Sequence, residues 1–254
     1  MSIADKLVTL EVNTYKVYYA GFVDGEKQGY NSGYEKGEVN GQKAEYDRFW
    51  DAFQDYGNRT SYGNTFSKSG WNDVTFKPKY PINAKGDASY MFADAGFSNF
   101  DFVESGIELE TEEATSLTYC FREVKGITRL GKISCLGCKD LNRLFYRCFV
   151  KTIELFVVHE TLTYSATFGS AHGLENIRIN GTIGTSIDFT SSPLTVDSMK
   201  SVISCLKNYA GTENENVYKV AFNSDCWTAL EASGTAPDGN TWVDYVNYTL
   251  GWNT

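Results

Sequence analysis

The sequence has few of the features that would point to a known chemistry. Histidine occurs twice and proline four times in 254 residues. The two histidines, His159 in VVHET and His172 in SAHGL, lie in neither a metal-ligand spacing nor a recognised catalytic motif. No glycine-rich segment has the GK[ST] ending of a phosphate-binding loop. We therefore predict a protein with no catalytic residue, no cofactor and no bound metal.

Positive charge and long apolar runs are also scarce. Lysine and arginine number 23 against 32 acidic residues, and the resulting net charge of −9 does not favour binding to nucleic-acid phosphates or an anionic membrane. No run approaches the roughly 18 apolar residues of a membrane span. The opening MSIADKLVTLEVNTYK does not resemble a secretory leader. We expect no nucleic-acid partner, no membrane insertion, and synthesis in a cytoplasm with mostly reduced cysteines.

Glycine, by contrast, recurs at every fourth position of AGFVDGEKQGYNSGYEKGEVNGQ, residues 20–42. Helical patterns flank this segment on both sides. Before it, Ile3, Leu7, Leu10, Thr14 and Val17 recur at alternating spacings of four and three. After it, the aromatics of EYDRFWDAFQDYGN share one helical face. The predicted oligomerisation residues are Leu7, Leu10, Val17, Gly21, Gly25, Gly29, Gly33, Gly37 and Gly41.

The glycine stripe has two interpretations. Six glycines inside a helix would cost about 6 kcal/mol relative to alanine, so something must compensate. A stripe without side chains compensates if another backbone approaches it closely, which predicts a self-associating, coiled-coil-like helical stalk over residues 1–56. The alternative is a flexible, solvated linker, because Glu, Lys, Asn and Gln fill the gaps. A period of four also drifts by about 40° per step, so the stripe must wind or the helix must break.

A repeat follows a predicted ordered connector over residues 57–88. From residue 89 the pattern apolar-x-x-apolar-x-apolar recurs in FSNFDF, VKTIEL, LENIRI and VYKVAF, with variants in ITRLGKI and LNRLF. A second element, SYMF, TYCF, YRCF or SATF, precedes several copies. The predicted core residues are Phe92, Phe97, Phe100, Phe121, Ile127, Leu141, Phe149, Ile153, Phe168, Leu174, Ile177, Val217 and Val220.

Copies of an LxxLxL core that recur at about 20 to 30 residues predict a leucine-rich solenoid. Each short strand buries alternate side chains, and the layers must stack because a single layer cannot bury its own face. The alternative is a sandwich of aromatic-rich strands, in which such patterns arise by chance.

The end of the chain is predicted to cover the last layer. SPLTVDSMKSVISCLKNYAG predicts a helix that begins near Thr195 and ends at Gly211, and VYKVAF predicts a last strand. DCWTALEASG and WVDYVNYTLGW predict short helices. The fold class is therefore α+β: an N-terminal long helix, an irregular leucine-rich-repeat-like β-solenoid over 89–222, and a C-terminal helical cap over 223–254.

Cysteines and acidic residues leave other chemistry open. CLGC at 135–138 is a CxxC, which occurs in zinc sites and redox pairs. A zinc site needs two further ligands; Cys120 and Cys148 are candidates, but neither belongs to a second CxxC. We predict instead that these cysteines are small buried residues at the repeat turns. The carboxylates of ELETEE at 108–113 could serve a glycosidase, although a solvated loop is the simpler interpretation.

The repeats resemble the BspA-type leucine-rich repeats. The features in common are MF or CF before a turn and an LxxLxL copy, and LGCKDLNRL at 136–144 follows that family's GC-x-x-L turn. The resemblance covers residues 89–190 and extends through 222, and it implies a degenerate β-solenoid in which Cys138 is a small buried turn residue. The chain departs from the family in its irregular repeat lengths and in an insertion, VESGIELETEEATS, at 103–116.

The whole layout also resembles short proteins from bacteriophages and prophages of gut bacteria. The shared features are a Gly- and Tyr-rich N-terminus, the joint EYDRFWDAFQDYGNRT, and Gly251 with Trp252 near the end. This resemblance implies a non-enzymatic tail or fibre component of the virion. We then expect a homo-oligomer, a trimer in preference to a dimer, that contacts other virion proteins. Its solenoid would present a surface to a host glycan or protein, for which tyrosine and tryptophan are suited.

Two other functions stay open. The repeat resemblance favours a BspA-like adhesin on a bacterial cell surface, although that location needs an export signal; a bacterial cytoplasmic location is a further alternative. A glycan-processing enzyme on a solenoid scaffold is the second, although no residue pattern requires it.

Overall fold

The computed structural model describes residues 81–254. The whole predicted stalk, residues 1–56, and most of the predicted connector therefore lie outside the described residues. The same holds for every predicted oligomerisation residue, namely Leu7, Leu10, Val17, Gly21, Gly25, Gly29, Gly33, Gly37 and Gly41.

A four-stranded parallel sheet runs through the first part of the described chain. Its strands, in spatial order, are β3 (Gly96–Asp101), β6 (Lys125–Ser134), β7 (Thr152–Val158) and β8 (Asn176–Gly181). All three pairings are parallel. Because sequential strands lie side by side in the same direction, each strand belongs to one coil of a solenoid. The described chain is thus a mixed α/β protein with a β-solenoid in residues 82–181 and few helices.

Shorter strands form the other side of the first coils. β1 (Ile82–Asn83) pairs with β4 (Leu109–Glu110), and β2 (Gly86–Asp87) pairs with β5 (Ala114–Ser116), both in parallel. In the next two coils, a single parallel bridge between Asp140 and Thr163 replaces these paired short strands. The solenoid therefore begins by residue 82, so the prediction of a connector as far as residue 88 was wrong.

The predicted insertion at 103–116 is part of the fold. It contains most of helix α1 (Phe102–Ser105) and the strands β4 and β5. The Asp101 carboxylate caps α1 by accepting hydrogen bonds from the backbone N–H groups of Val103 and Glu104. Leu109 is buried in the core. Within ELETEE, Leu109 and Thr111 are buried, whereas Glu108, Glu112 and Glu113 are exposed. The acidic side chains are therefore solvated, but the segment contains the strand β4 and is not a loop throughout.

The C-terminal elements follow the predicted order. Helix α2 (Val196–Ser204) begins after an N-cap at Thr195, as predicted, but it ends at Ser204 and not at Gly211. The remaining elements are β9 (Ile187–Phe189), β10 (Val220–Phe222), α3 (Ser224–Ala232), α4 (Trp242–Asp244) and a π-helical turn at Tyr245–Thr249. β9 and β10 pair in parallel, so stacked strands continue beyond residue 181.

Helix α2 covers the free edge of β8. The Ser198 hydroxyl accepts a hydrogen bond of 3.0 Å from the Ile177 N–H, and the Ser201 hydroxyl accepts one of 2.9 Å from the Ile179 N–H. An exposed parallel edge would offer these N–H groups to another chain. The two serine hydroxyls therefore accept the hydrogen bonds that the carbonyl groups of a further strand would otherwise accept at these positions.

Phenylalanines form a continuous column, the phenylalanine spine, through the core. Centroids of successive rings lie 4.4–5.9 Å apart and neighbouring planes are 7–27° from parallel. Ring pairs stack because equivalent positions of successive coils repeat at the spacing of hydrogen-bonded strands. The members are Phe92, Phe121, Phe145, Phe168, Phe189 and Phe222.

Two of the predicted core residues are on the surface. Phe149 is 56% exposed and Val217 is 57% exposed, so their assignment to the core was wrong. Phe145 takes the place in the spine that YRCF was predicted to fill with Phe149. Val217 lies before β10 begins. The other predicted core residues are buried, namely Phe92, Phe97, Phe100, Phe121, Ile127, Leu141, Ile153, Phe168, Leu174, Ile177 and Val220.

Candidate interaction surface

The turn before each long strand has an unusual backbone. In the second coil Tyr119 and Glu123, two residues before and two after the spine residue Phe121, have positive φ angles of 58° and 54°. The same pair of left-handed residues flanks the spine phenylalanines of the first, third and fourth coils. A left-handed conformation is uncommon for residues other than glycine. Its recurrence at the same two positions makes it a property of the repeat.

This backbone extends the ladder between coils through the turns. The N–H groups of Tyr119, Phe121 and Glu123 donate to carbonyls of the third coil at 3.0, 2.9 and 2.8 Å. The residues between them, Cys120 and Arg122, donate instead to carbonyls within their own turn. Corresponding turn residues are therefore held one above another, and outward side chains from successive coils form columns.

Tyrosine and arginine dominate these columns in the first three coils. We call this surface the tyrosine–arginine strip. The rings of Tyr90 and Tyr119 stack with centroids 4.7 Å apart and planes 5° from parallel. That distance equals the spacing of neighbouring strands, so the backbone ladder sets the stack directly. The strip comprises Tyr90, Asp94, Tyr119, Arg122, Glu123, Arg143, Tyr146 and Arg147.

Arg143 is the central cation of the strip. Its guanidinium carbon lies 5.6 Å from the ring centroid of Tyr119 and 5.5 Å from that of Tyr146. Its Nη1 donates a hydrogen bond of 2.5 Å to the Tyr119 hydroxyl. Within residues 81–254 no carboxylate pairs with Arg143, whose side chain is exposed. Two aromatic rings and one hydroxyl thus hold a planar cation whose charge no described acidic group neutralises.

The other two arginines of the strip have acidic partners. Arg122 forms a two-oxygen contact with Asp94, at 2.9 and 2.7 Å. This hydrogen-bonded carboxylate raises the pKa of Arg122. Arg147 lies 3.7 Å from Glu123. These pairs link successive coils and leave Arg143 as the arginine of the strip without a carboxylate partner in residues 81–254.

The strip ends at the fourth coil. The equivalent turn there carries Ala166, Gly169 and Ser170 in place of tyrosine and charged residues. A Cβ at Gly169 would lie 3.0 Å from a ring carbon of Tyr146, so the ring lies directly over this glycine. The small residues of the fourth coil therefore leave Arg143, Tyr146 and Arg147 of the third coil as the last large side chains of the strip.

The cysteines predicted at the repeat turns are buried free thiols. Burial raises the pKa of Cys138 to about 11 and that of Cys148 to about 12. It also raises the pKa of Cys120 and Cys135. A thiol needs its thiolate form to attack a disulfide or to bind zinc, and burial of this kind disfavours the thiolate. Their repeat positions differ: Cys120 directly precedes the spine residue Phe121, whereas Cys148 lies three residues after the spine residue Phe145.

The histidines and the acidic residues of 108–113 make ordinary structural contacts. A ring nitrogen of His159 lies 2.7 Å from the Cys138 carbonyl oxygen, and one of His172 lies 3.1 Å from the Ser191 carbonyl oxygen. Glu112 pairs with Lys132 at 2.6 Å. In the described part of the chain, no three His, Cys, Asp or Glu side chains group as a metal site requires.

The sequence did not single out the strip. Its tyrosines and arginines lie in SYMFAD, TYCFRE and NRLFYR. When the three segments are aligned on Phe92, Phe121 and Phe145, the residues that stack on one another occupy the same position of each segment. Placing Phe149 in the repeat shifts the third copy by four residues. With that shift Arg143 and Tyr146 no longer align with Tyr119, so the column is lost.

The fold and the strip define a parallel β-solenoid protein with an aromatic and cationic surface on its turns. No protein-family model, no curated protein and no solved structure matches the chain. Over residues 81–254, the structure contains no helix with the length and apolar character that a membrane crossing requires.

Proposed function

We propose that this protein is a non-enzymatic interaction protein whose solenoid binds a partner through the tyrosine–arginine strip. The observation that carries the proposal is the exposed Arg143, held between two tyrosine rings without a carboxylate partner in residues 81–254. Tyrosine and arginine are the residue types enriched where binding energy concentrates. The backbone ladder fixes them before a partner arrives, so little conformational entropy is lost on binding.

The strip can be tested on whole cells. The full chain carries a fluorescent label and is incubated with a panel of intestinal bacteria. We expect at least one strain to bind it, and a double variant, Tyr119→Ala with Arg143→Gln, to lose that binding. Arg178→Gln is the matched control, because Arg178 is an exposed arginine on β8 and not on a turn. Equal binding by the double variant would contradict the proposal, as would a panel without any binding strain.

The particular role that we propose is a tail or fibre component of a phage or prophage particle, with the solenoid used for host attachment. Support for it comes from the sequence: the layout resembles short phage and prophage proteins, and the repeats resemble BspA-type leucine-rich repeats. An antibody against the full chain should detect it in purified particles after prophage induction. Detection in the cell-envelope fraction alone would favour the BspA-like adhesin instead.

We also propose that the glycine stripe assembles the protein into a trimer or a dimer. The support is the fourfold glycine spacing from Gly21 to Gly41, which allows close backbone approach. Light scattering of the full chain should give a multiple of 28.4 kDa. A Gly29→Leu, Gly33→Leu double variant places bulky groups in the stripe and should dissociate the assembly. A full chain that is monomeric at micromolar concentration would overturn this proposal.

A further inference from the structure

The tyrosine–arginine strip combines two kinds of polar group. Arg143 offers a planar fork of N–H donors, and within residues 81–254 one of them is used, by the Tyr119 hydroxyl. The hydroxyl groups of Tyr90 and Tyr146 make no hydrogen bond within residues 81–254, and neither oxygen is a buried one. Each can donate and accept. Within residues 81–254 the strip therefore offers two free hydroxyl groups and one guanidinium without a carboxylate partner.

A guanidinium fork selects an anion of matching shape. Arginine pairs with a carboxylate through two parallel N–H···O bonds, and these charge-assisted bonds are among the strong ones. The ring contacts at 5.6 and 5.5 Å hold the side chain, so its orientation is largely set before an anion arrives. The hydroxyl contact at 2.5 Å adds a second restraint.

The surroundings of Arg143 limit how much negative charge a ligand can carry. The carboxylates of Asp94 and Glu123 lie within the same strip, where they pair with Arg122 and Arg147. The chain as a whole has a formal net charge of −9. A ligand with an anion at every repeat, such as a nucleic acid, would be repelled. A ligand with occasional carboxylates among many hydroxyls matches both the charge and the hydrogen-bonding groups.

We propose that the strip binds a polysaccharide that contains uronic acid residues, with Arg143 receiving a sugar carboxylate and the tyrosine hydroxyls of Tyr90 and Tyr146 contacting sugar hydroxyls. This inference rests on the proposed function, because it names the ligand class of the same surface. An acidic peptide would satisfy Arg143 but has few hydroxyl groups to offer Tyr90 and Tyr146, so we assign the site to the glycan.

The test measures binding of the full chain to immobilised polymers by biolayer interferometry. The probes are hyaluronan and heparosan, which carry one carboxylate per disaccharide, with the methyl ester of each and poly-L-glutamate for comparison. We expect binding to at least one uronate polymer, and at least tenfold weaker binding to the methyl ester and to poly-L-glutamate. Equal or tighter binding to poly-L-glutamate would replace the glycan with an acidic peptide. Equal binding to the methyl ester would show that Arg143 does not bind a sugar carboxylate.

Substitutions in the strip test whether the polymer binds at this surface. Arg143→Gln should weaken binding to the preferred polymer by about tenfold or more, and Arg143→Lys should weaken it less, because lysine keeps the charge but not the fork. Tyr119→Phe removes the hydroxyl that orients Arg143 and should also weaken binding. Arg178→Gln should bind as the parent chain does. An unchanged affinity in Arg143→Gln would overturn the assignment.

The two proposals can fail separately. If labelled protein binds cells through the strip but none of the uronate polymers binds, only the glycan assignment is overturned. If neither cells nor polymers bind, the proposed function fails with it. The methyl-ester comparison uses the unsubstituted chain, so it decides the role of the carboxylate even if a variant does not fold.

Discussion

The phenyl rings of Phe121 and Phe145 stack in successive coils, with centroids 5.4 Å apart and planes 11° from parallel. Each ring also stacks on a further ring, that of Phe92 on one side and that of Phe168 on the other. A ring in this column therefore contributes to the core of its own coil and to the interface with both neighbours. The same register fixes the tyrosines and arginines outside, because the spine and the strip share their turns.

Loss of a spine ring should be costly. We expect Phe145→Ala to lower the free energy of unfolding by about 3–5 kcal/mol, because it leaves a cavity between two stacked rings. Phe149→Ala is the matched control four residues away, and since its side chain is 56% exposed the loss should stay below about 1 kcal/mol. Urea unfolding followed by circular dichroism measures both. Equal losses would mean that Phe145 does not belong to the spine.

The serine contacts on β8 should be measurable as stability. Ser198→Ala leaves the buried Ile177 N–H without its acceptor, and we expect a loss of about 1–3 kcal/mol. Faster hydrogen exchange at the Ile177 amide should accompany it. Ser204→Ala, at an exposed serine of the same helix, should change stability by less than about 0.5 kcal/mol. An Ile177 amide that exchanges at the parental rate would contradict the edge-capping role.

Two glycines of β6 should respond differently to alanine. Gly126 has a φ of +79°, and a Cβ there would lie 1.6 Å from the Phe97 carbonyl oxygen. At Gly131 a Cβ would meet no atom within 4 Å. We expect Gly126→Ala to destabilise the protein by more than about 2 kcal/mol and Gly131→Ala to change stability by less than about 1 kcal/mol. Thermal unfolding of the pair checks this, and similar melting temperatures would refute it.

Stability should fall in alkaline solution. Burial raises the pKa of Cys138 to about 11 and that of Cys148 to about 12. An unfolded thiol ionises near pH 8.5, which is about 3.5 pH units below the native pKa of Cys148. A raised native pKa means that the stabilisation is complete below the unfolded pKa and is lost as pH rises toward the native one. Each such thiol should remove up to about 1.4 kcal/mol per pH unit over that range.

The alkaline effect is measured by urea unfolding at about pH 8 and pH 10 under reducing conditions. Cys148→Ala should reduce the difference between the two conditions by about 2 kcal/mol, the share of one thiol over that interval. A parent protein whose stability is the same at both pH values would show that the thiols are not buried as described.

The apolar repeat by itself determined much of the architecture. FSNFDF, VKTIEL and LENIRI each contribute to one strand of the four-stranded sheet, because a stacked coil needs inward apolar residues at fixed positions whatever its turns contain. The sequence also predicts the N-cap at Thr195, because a hydroxyl before an amphipathic segment can accept a hydrogen bond from an N–H group in the first turn of the helix. These are local rules, and they need no knowledge of the neighbouring coil.

Only the tertiary structure decided which phenylalanine of LFYRCF belongs to the core. Phe145 and Phe149 are both compatible with an inward position on sequence grounds, but the turn with left-handed residues at Arg143 and Arg147 directs Phe145 inward. That choice also aligns Arg143 with Tyr119. Hydrogen bonds between coils align the turns and so determine which side chains of the strip lie next to each other. The sequence of a single repeat does not specify this alignment.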